Sequence, residues 1–134
     1  GADHPMVALT IDKMVEFYTV QKLYDKAGPL AQRSQAMRTK AVLESFHRTG
    51  RVLIGEQKLP EAIDLYQRAI NIGESAKVPD EAMEGILRTY ALVLSHSGRK
   101  EEAAAAEKRL KDAIIGKADR DGTRRPKPKP IDPQ

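Results

Sequence analysis

The chain has 134 residues, a formal net charge of +4 and no cysteine. That length fits one domain, and the missing thiols exclude disulfides and zinc-thiolate sites. With two Phe, four Tyr and no Trp, any core must be built from aliphatic side chains and alanine. No run of about 18 apolar residues is present, so no helical membrane span is expected.

The charge is unevenly placed. From Lys117 onward stand six basic and three acidic residues, which leaves the preceding body at +1. The high isoelectric point therefore describes a tail. Its segment Arg124–Arg125–Pro126–Lys127–Pro128–Lys129 could touch phosphates without sequence preference. It lacks the interleaved aromatics that stack on bases. No specific nucleic-acid partner is expected.

In chain order, residues 1–7 read as a lead-in. Pro5 suits a first helical turn. Met6 to Val20 places Val7, Ile11, Met14, Val15 and Tyr18 at helical spacing. After a break at Gln21–Lys22, a second helix starts near Asp25, a cap candidate, with Pro29 close to its start. A third helix begins between Ser34 and Lys40 and carries Val42, Leu43, Phe46, Val52 and Leu53. No Gly or Pro separates it from the second, so one long helix from Pro29 to Glu56 is the alternative. Gln57 to Pro60 is a turn. Glu61 to Ile72 is amphipathic and stops at Gly73. Asp80 caps the next helix, and Ser97–Gly98–Arg99 is a turn. An alanine-rich helix from Lys100 ends at Gly116. Residues 117–134 read as disordered, with polyproline stiffness in the Pro-Lys-Pro-Lys-Pro stretch.

Six helices in three hairpins prompt a search for a period. Ala27, Ala62 and Ala103 align near the start of the second helix of each pair. Sixteen residues before them stand Ile11, Phe46 and Leu87. Ten and nine before stand Phe17–Tyr18, Val52–Leu53 and Val93–Leu94. Six after stand Arg33, Arg68 and Arg109. A small anchor lets two helices cross closely. The apolar positions before it form the facing seam, and each hairpin needs a neighbour to bury its stripe.

On these residues the chain resembles the tetratricopeptide repeat family, whose pattern is W-x2-L-G-x2-Y, then A-x3-F, then P. The middle unit fits best, with Phe46, Thr49, Gly50 and Leu53, then Ala62 and Tyr66. The third unit offers Leu87, Tyr90, Ala91, Leu94 and Ala103, and the first offers Ile11, Met14, Val15, Tyr18 and Ala27. The stretch from Leu23 to Ser34 looks like the kinesin-light-chain-like subtype. Residues 88–109 are similar to the closing repeat of many bacterial members. The terminal Pro is absent from every unit, and only Gly50 keeps the glycine. The resemblance implies an all-α solenoid of three stacked helix-turn-helix repeats, over about 8–41, 43–76 and 84–116 within residues 8–116. A six-helix bundle of other pedigree is the rival arrangement. The source implied is bacterial. The compartment stays open between cytoplasm and export after signal removal.

The resemblance also implies a concave groove lined by the first helix of each pair, with Asp12, Glu16, His47, Arg51, Arg88, Leu92 and His96 among its residues. Its acidic end and its cationic middle suit a peptide or protein partner with acidic groups toward Arg51 and Arg88. The family's clamp for a terminal carboxylate is missing, because Asp12 and Glu16 occupy its first-unit places. His47 and His96 stand eight residues apart in equivalent position, about 12 Å along a helix, too far to share an ion. No H-E-x-x-H motif, phosphate loop or nucleophile triad occurs. The expected function is non-enzymatic protein–protein interaction with no metal and no cofactor. A structural or oligomerisation module with an idle groove is the alternative, and a homodimer through the terminal helices is a further expectation.

Overall fold

A computed structural model describes residues 4–122. It is all-α: among the described residues there are five α-helices, one short 3-10 turn and no strand. The chain divides into two compact units, with the boundary between Val78 and Pro79. Unit 1 holds α1 (Pro5–Val20), α2 (Tyr24–Gly55) and α3 (Leu59–Ser75). Unit 2 holds a 3-10 turn (Asp80–Met83), α4 (Glu84–His96) and α5 (Lys100–Asp121).

α1 begins as its sequence implies. Pro5 lies in the first turn, and His4 caps it by accepting the Met6 N–H on Nδ1 at 3.1 Å. The helix buries Ala8 and Ile11 and packs antiparallel along the first half of α2. α3 packs antiparallel along the second half of α2 and buries Ala62, Ile63, Tyr66, Ala69 and Ile70. No packed interface joins α1 to α3.

The main departure from expectation is α2. The second and third expected helices are one continuous helix of 32 residues, as in the long-helix alternative. Ser-Gln-Ala-Met-Arg-Thr-Lys at 34–40 contains no breaker, and Gln, Ala, Met, Arg and Lys are good helix formers. Within the helix the buried Thr39 satisfies its hydroxyl by donating to the Gln35 carbonyl at 3.0 Å. Pro29 falls at the sixth helical position, just past the tolerated first turn. Its missing N–H costs the helix the bond to the Asp25 carbonyl.

Three helical hairpins share one turn. Lys22, Gln57 and Gly98 take the left-handed conformation, with φ of 58°, 61° and 75°. In each, the following residue's N–H reaches back to close the helix: Leu23 to the Tyr18 carbonyl at 2.9 Å, Lys58 to Leu53 at 2.9 Å, Arg99 to Leu94 at 3.0 Å. These are Schellman closures. The N–H of each anchor alanine then bonds the residue four before it: Ala27 to Leu23, Ala62 to Lys58, Ala103 to Arg99. All three anchors are buried. The left-handed residue thus stands five positions before each anchor, in the register of the sequence alignment.

The apolar seam holds in part. Tyr18, Leu53 and Leu94 face inward, but Phe17 and Val52 point to solvent. Three expected helix signals also resolve differently. α3 runs past the buried Gly73 to Ser75, and Lys77 takes the positive φ that ends it. Asp80 does not cap α4. Its carboxylate accepts two hydrogen bonds from Arg109, from Nε and Nη2 at 2.8 Å each, because a guanidinium fork matches a carboxylate better than one backbone N–H does. This pairing holds the Asp80 carboxyl below its ordinary range. Gly116 does not stop α5. The helix continues through Asp121 to Gly122, whose φ of 68° makes the stop. Arg120 in that last turn pairs with Glu81 of the 3-10 turn. Residues 117–121, expected in the disordered tail, are therefore helical, and the rest of that expectation, from residue 123, lies outside the described residues.

Candidate interaction surface

The seven residues assigned to the groove fall on α1, α2 and α4. Asp12 and Glu16 are one turn apart on α1, and Glu16 is exposed. Asp12 is not an open acid. The fully buried Ser34 hydroxyl donates to its Oδ1 at 2.5 Å. Arg38 donates to the Ser34 Oγ at 2.8 Å and grips both Asp12 oxygens. Ser34 and Arg38, four apart on one face of α2, thereby lock α1 to α2. They were missed in the sequence because Asp12 lies 22 and 26 residues away from them.

His47 and Arg51 lie one turn apart on α2. His47 is half-buried. Its ring meets Tyr66 edge-on, with centroids 5.8 Å apart, and its carbonyl accepts the Tyr66 hydroxyl at 3.2 Å. Burial first, and the Arg51 charge second, push its pKa below the usual value of 6.5. The unfolded chain therefore binds the proton more readily than the folded one. This contribution to stability is complete above about pH 6.5 and is lost as pH falls through the lower folded value. A His47→Gln variant is expected to flatten that part of the stability-against-pH curve in urea titrations. An unchanged slope would assign the titration elsewhere.

In unit 2, Arg88, Leu92 and His96 follow at four-residue intervals and share one face of α4. All three are exposed, Leu92 by 54%. Arg88 pairs with Glu84 one turn earlier at 2.7 Å. That surface pair is weak and exchangeable, so an incoming carboxylate can replace it. The opposite side of α4 carries the buried Ile86, Leu87, Ala91, Val93 and Leu94. The Arg-Leu-His face lies on the other, exposed side of the helix.

Among the described residues no group of three or more His, Asp or Glu is placed to hold a metal ion. None of the described helices is long and apolar enough to cross a membrane. Comparison with known proteins finds no matching family model, no matching curated protein and no matching solved structure.

Proposed function

We propose that this chain is a non-enzymatic protein–protein interaction scaffold whose helical hairpins are of the tetratricopeptide kind and whose exposed helix faces take a peptide. The observation that carries the reading is the turn built three times over. A left-handed residue, a Schellman closure and a buried alanine five positions later recur at Lys22–Ala27, Gln57–Ala62 and Gly98–Ala103. The repeated hairpin is the feature that this chain shares with tetratricopeptide modules, which work by presenting helix faces to a partner. Each unit offers cations on a helix face of its own, Arg51 on α2 and Arg88 with Leu92 and His96 on α4, so the ligand chemistry is acidic side chains, with an apolar residue beside them on α4. Asp12 belongs to the scaffold in this reading, because its carboxylate is already satisfied by Ser34 and Arg38.

The test is an array of acidic peptides probed with the whole chain. Replacing Arg51 and Arg88 together by Glu is expected to weaken selected peptides by at least about tenfold, or about 1.4 kcal/mol, while salt weakens the parent chain. Equal binding by the double variant would rule the surface out. A second reading, an oligomerisation module, is favoured by one observation: α1 is apolar on two opposite sides.

A further inference from the structure

α1 packs on α2 through Ala8 and Ile11, with Val7, Val15 and Tyr18 half-buried beside them. Its other side carries Met6, Leu9, Phe17 and Val20, exposed by 61, 48, 59 and 78%. At 3.6 residues per turn these four fall within an arc of about 80°, centred about 170° from the buried face. Tyr24, 63% exposed, continues the stripe at the start of α2. A helix that is apolar on opposite sides belongs between two packing surfaces. α2 provides one.

The stripe also has a register. Positions 6, 9, 13, 16 and 20 follow the alternating three- and four-residue spacing of a coiled-coil seam. The two central positions hold Lys13 and Glu16, both exposed. Laid parallel on a second copy, Lys13 would meet Lys13 and Glu16 would meet Glu16. Laid antiparallel, Leu9 meets Val20, Lys13 meets Glu16, and each pair occurs twice about a two-fold axis. Phe17 flanks the centre, and Met6 reaches Tyr24 at either end.

We propose that the outer face of α1 binds the same face of a second copy of this chain, antiparallel, with Lys13 and Glu16 setting the register. A helix of 16 residues is about 24 Å long and about 10 Å wide. Two such faces bury on the order of 500 Å², below the range of permanent interfaces. The dimer is therefore weak and transient. The inference goes beyond the peptide-binding reading and does not rest on it. It reassigns Glu16 from the peptide groove to the dimer seam.

Sedimentation of the full chain over a range of concentrations tests it. The parent chain is expected to dimerise reversibly. Lys13→Glu and Glu16→Lys should each weaken the dimer at least about tenfold through like-charge contacts, with helix content by circular dichroism unchanged because both positions are exposed. An equimolar mixture of the two variants should dimerise at least as tightly as the parent, since each chain then meets the opposite charge. The double variant Lys13→Glu/Glu16→Lys should also recover. Arg51→Glu/Arg88→Glu should leave the dimer intact, which separates this seam from the peptide surface. A parent chain that stays monomeric overturns the proposal, as when another segment covers α1. A dimer indifferent to both single variants, or a mixture that fails to associate, overturns it equally.

Discussion

Ala36→Pro is expected to destabilise unit 1 by about 3 kcal/mol or more, while Ala36→Gly costs about 1 kcal/mol. Ala36 is exposed, so neither change removes a side-chain contact. The difference isolates the backbone. In a continuous helix the residue 36 N–H donates to the Gln32 carbonyl. Proline deletes that bond and drives its ring against the same carbonyl. The site lies midway along α2, two residues from the buried Ser34 and three from the buried Thr39. A kink there would pull the Ser34 hydroxyl away from Asp12 and the Arg38 fork with it. Urea denaturation followed by circular dichroism measures both variants. Were the chain two helices joined between 34 and 40, proline would cost no more than glycine. Pro29 gives the internal comparison: it sits at the sixth position of α2, little more than one turn from its start, and the helix accommodates it.

The same contrast shows how far the sequence was legible. Helix content, the ends of α1 and the three hairpin turns could be read locally, because Pro5, the polar breaks and the anchor alanines are local signals. The register of Ala27, Ala62 and Ala103 survives in the shared turn geometry. The length of α2 was not decided locally. A segment without a breaker can continue or fold back, and tertiary packing chooses. Asp80 misled because its partner Arg109 lies 29 residues away, while a cap motif looks the same in sequence whether or not a better partner exists. Gly116 misled because glycine only weakens a helix by about 1 kcal/mol, and the residues after it, Lys117 and Ala118, are helix formers. Of the residues that the resemblance assigns to a groove, Arg88, Leu92 and His96 lie exposed on one face of α4, as four-residue spacing requires. The neutralisation of Asp12 was not legible, since it depends on which face of α2 turns toward α1. The outer stripe of α1 was present in the sequence as Met6, Leu9, Phe17 and Val20. It was obscured because Phe17 was aligned with the inward seam.

Gly50→Ala is expected to destabilise unit 1 although alanine is the better helix former, and Tyr66 is the reason. A Cβ at residue 50 would stand 2.5 Å from a ring carbon of Tyr66 and 2.8 Å from its hydroxyl. The ring has nowhere to go. Tyr66 has no exposed surface, its hydroxyl is bonded to the His47 carbonyl, and the His47 ring lies edge-on against it. Overpacking of this kind costs about 1–3 kcal/mol, occasionally more, against a helix-propensity gain of about 1 kcal/mol. The net expectation is a loss of up to about 2 kcal/mol. Tyr66→Ala alone should cost about 3–5 kcal/mol through the cavity it leaves. In that background Gly50→Ala should change sign and stabilise by about 1 kcal/mol, because only the propensity term survives. The coupling between the two sites is then the overpacking cost itself, about 1–3 kcal/mol, above additivity error. Gly55→Ala at the end of the same helix has nothing within 4 Å of the new Cβ beyond its chain neighbours and should stabilise by up to about 1 kcal/mol. If Gly50→Ala behaved like Gly55→Ala, the close approach of α2 and α3 would be refuted. The seam also governs the surface beside it. His47 is held by Tyr66, and Arg51 follows one turn later, so a displaced ring should shift the His47 titration in the same variant that loses stability.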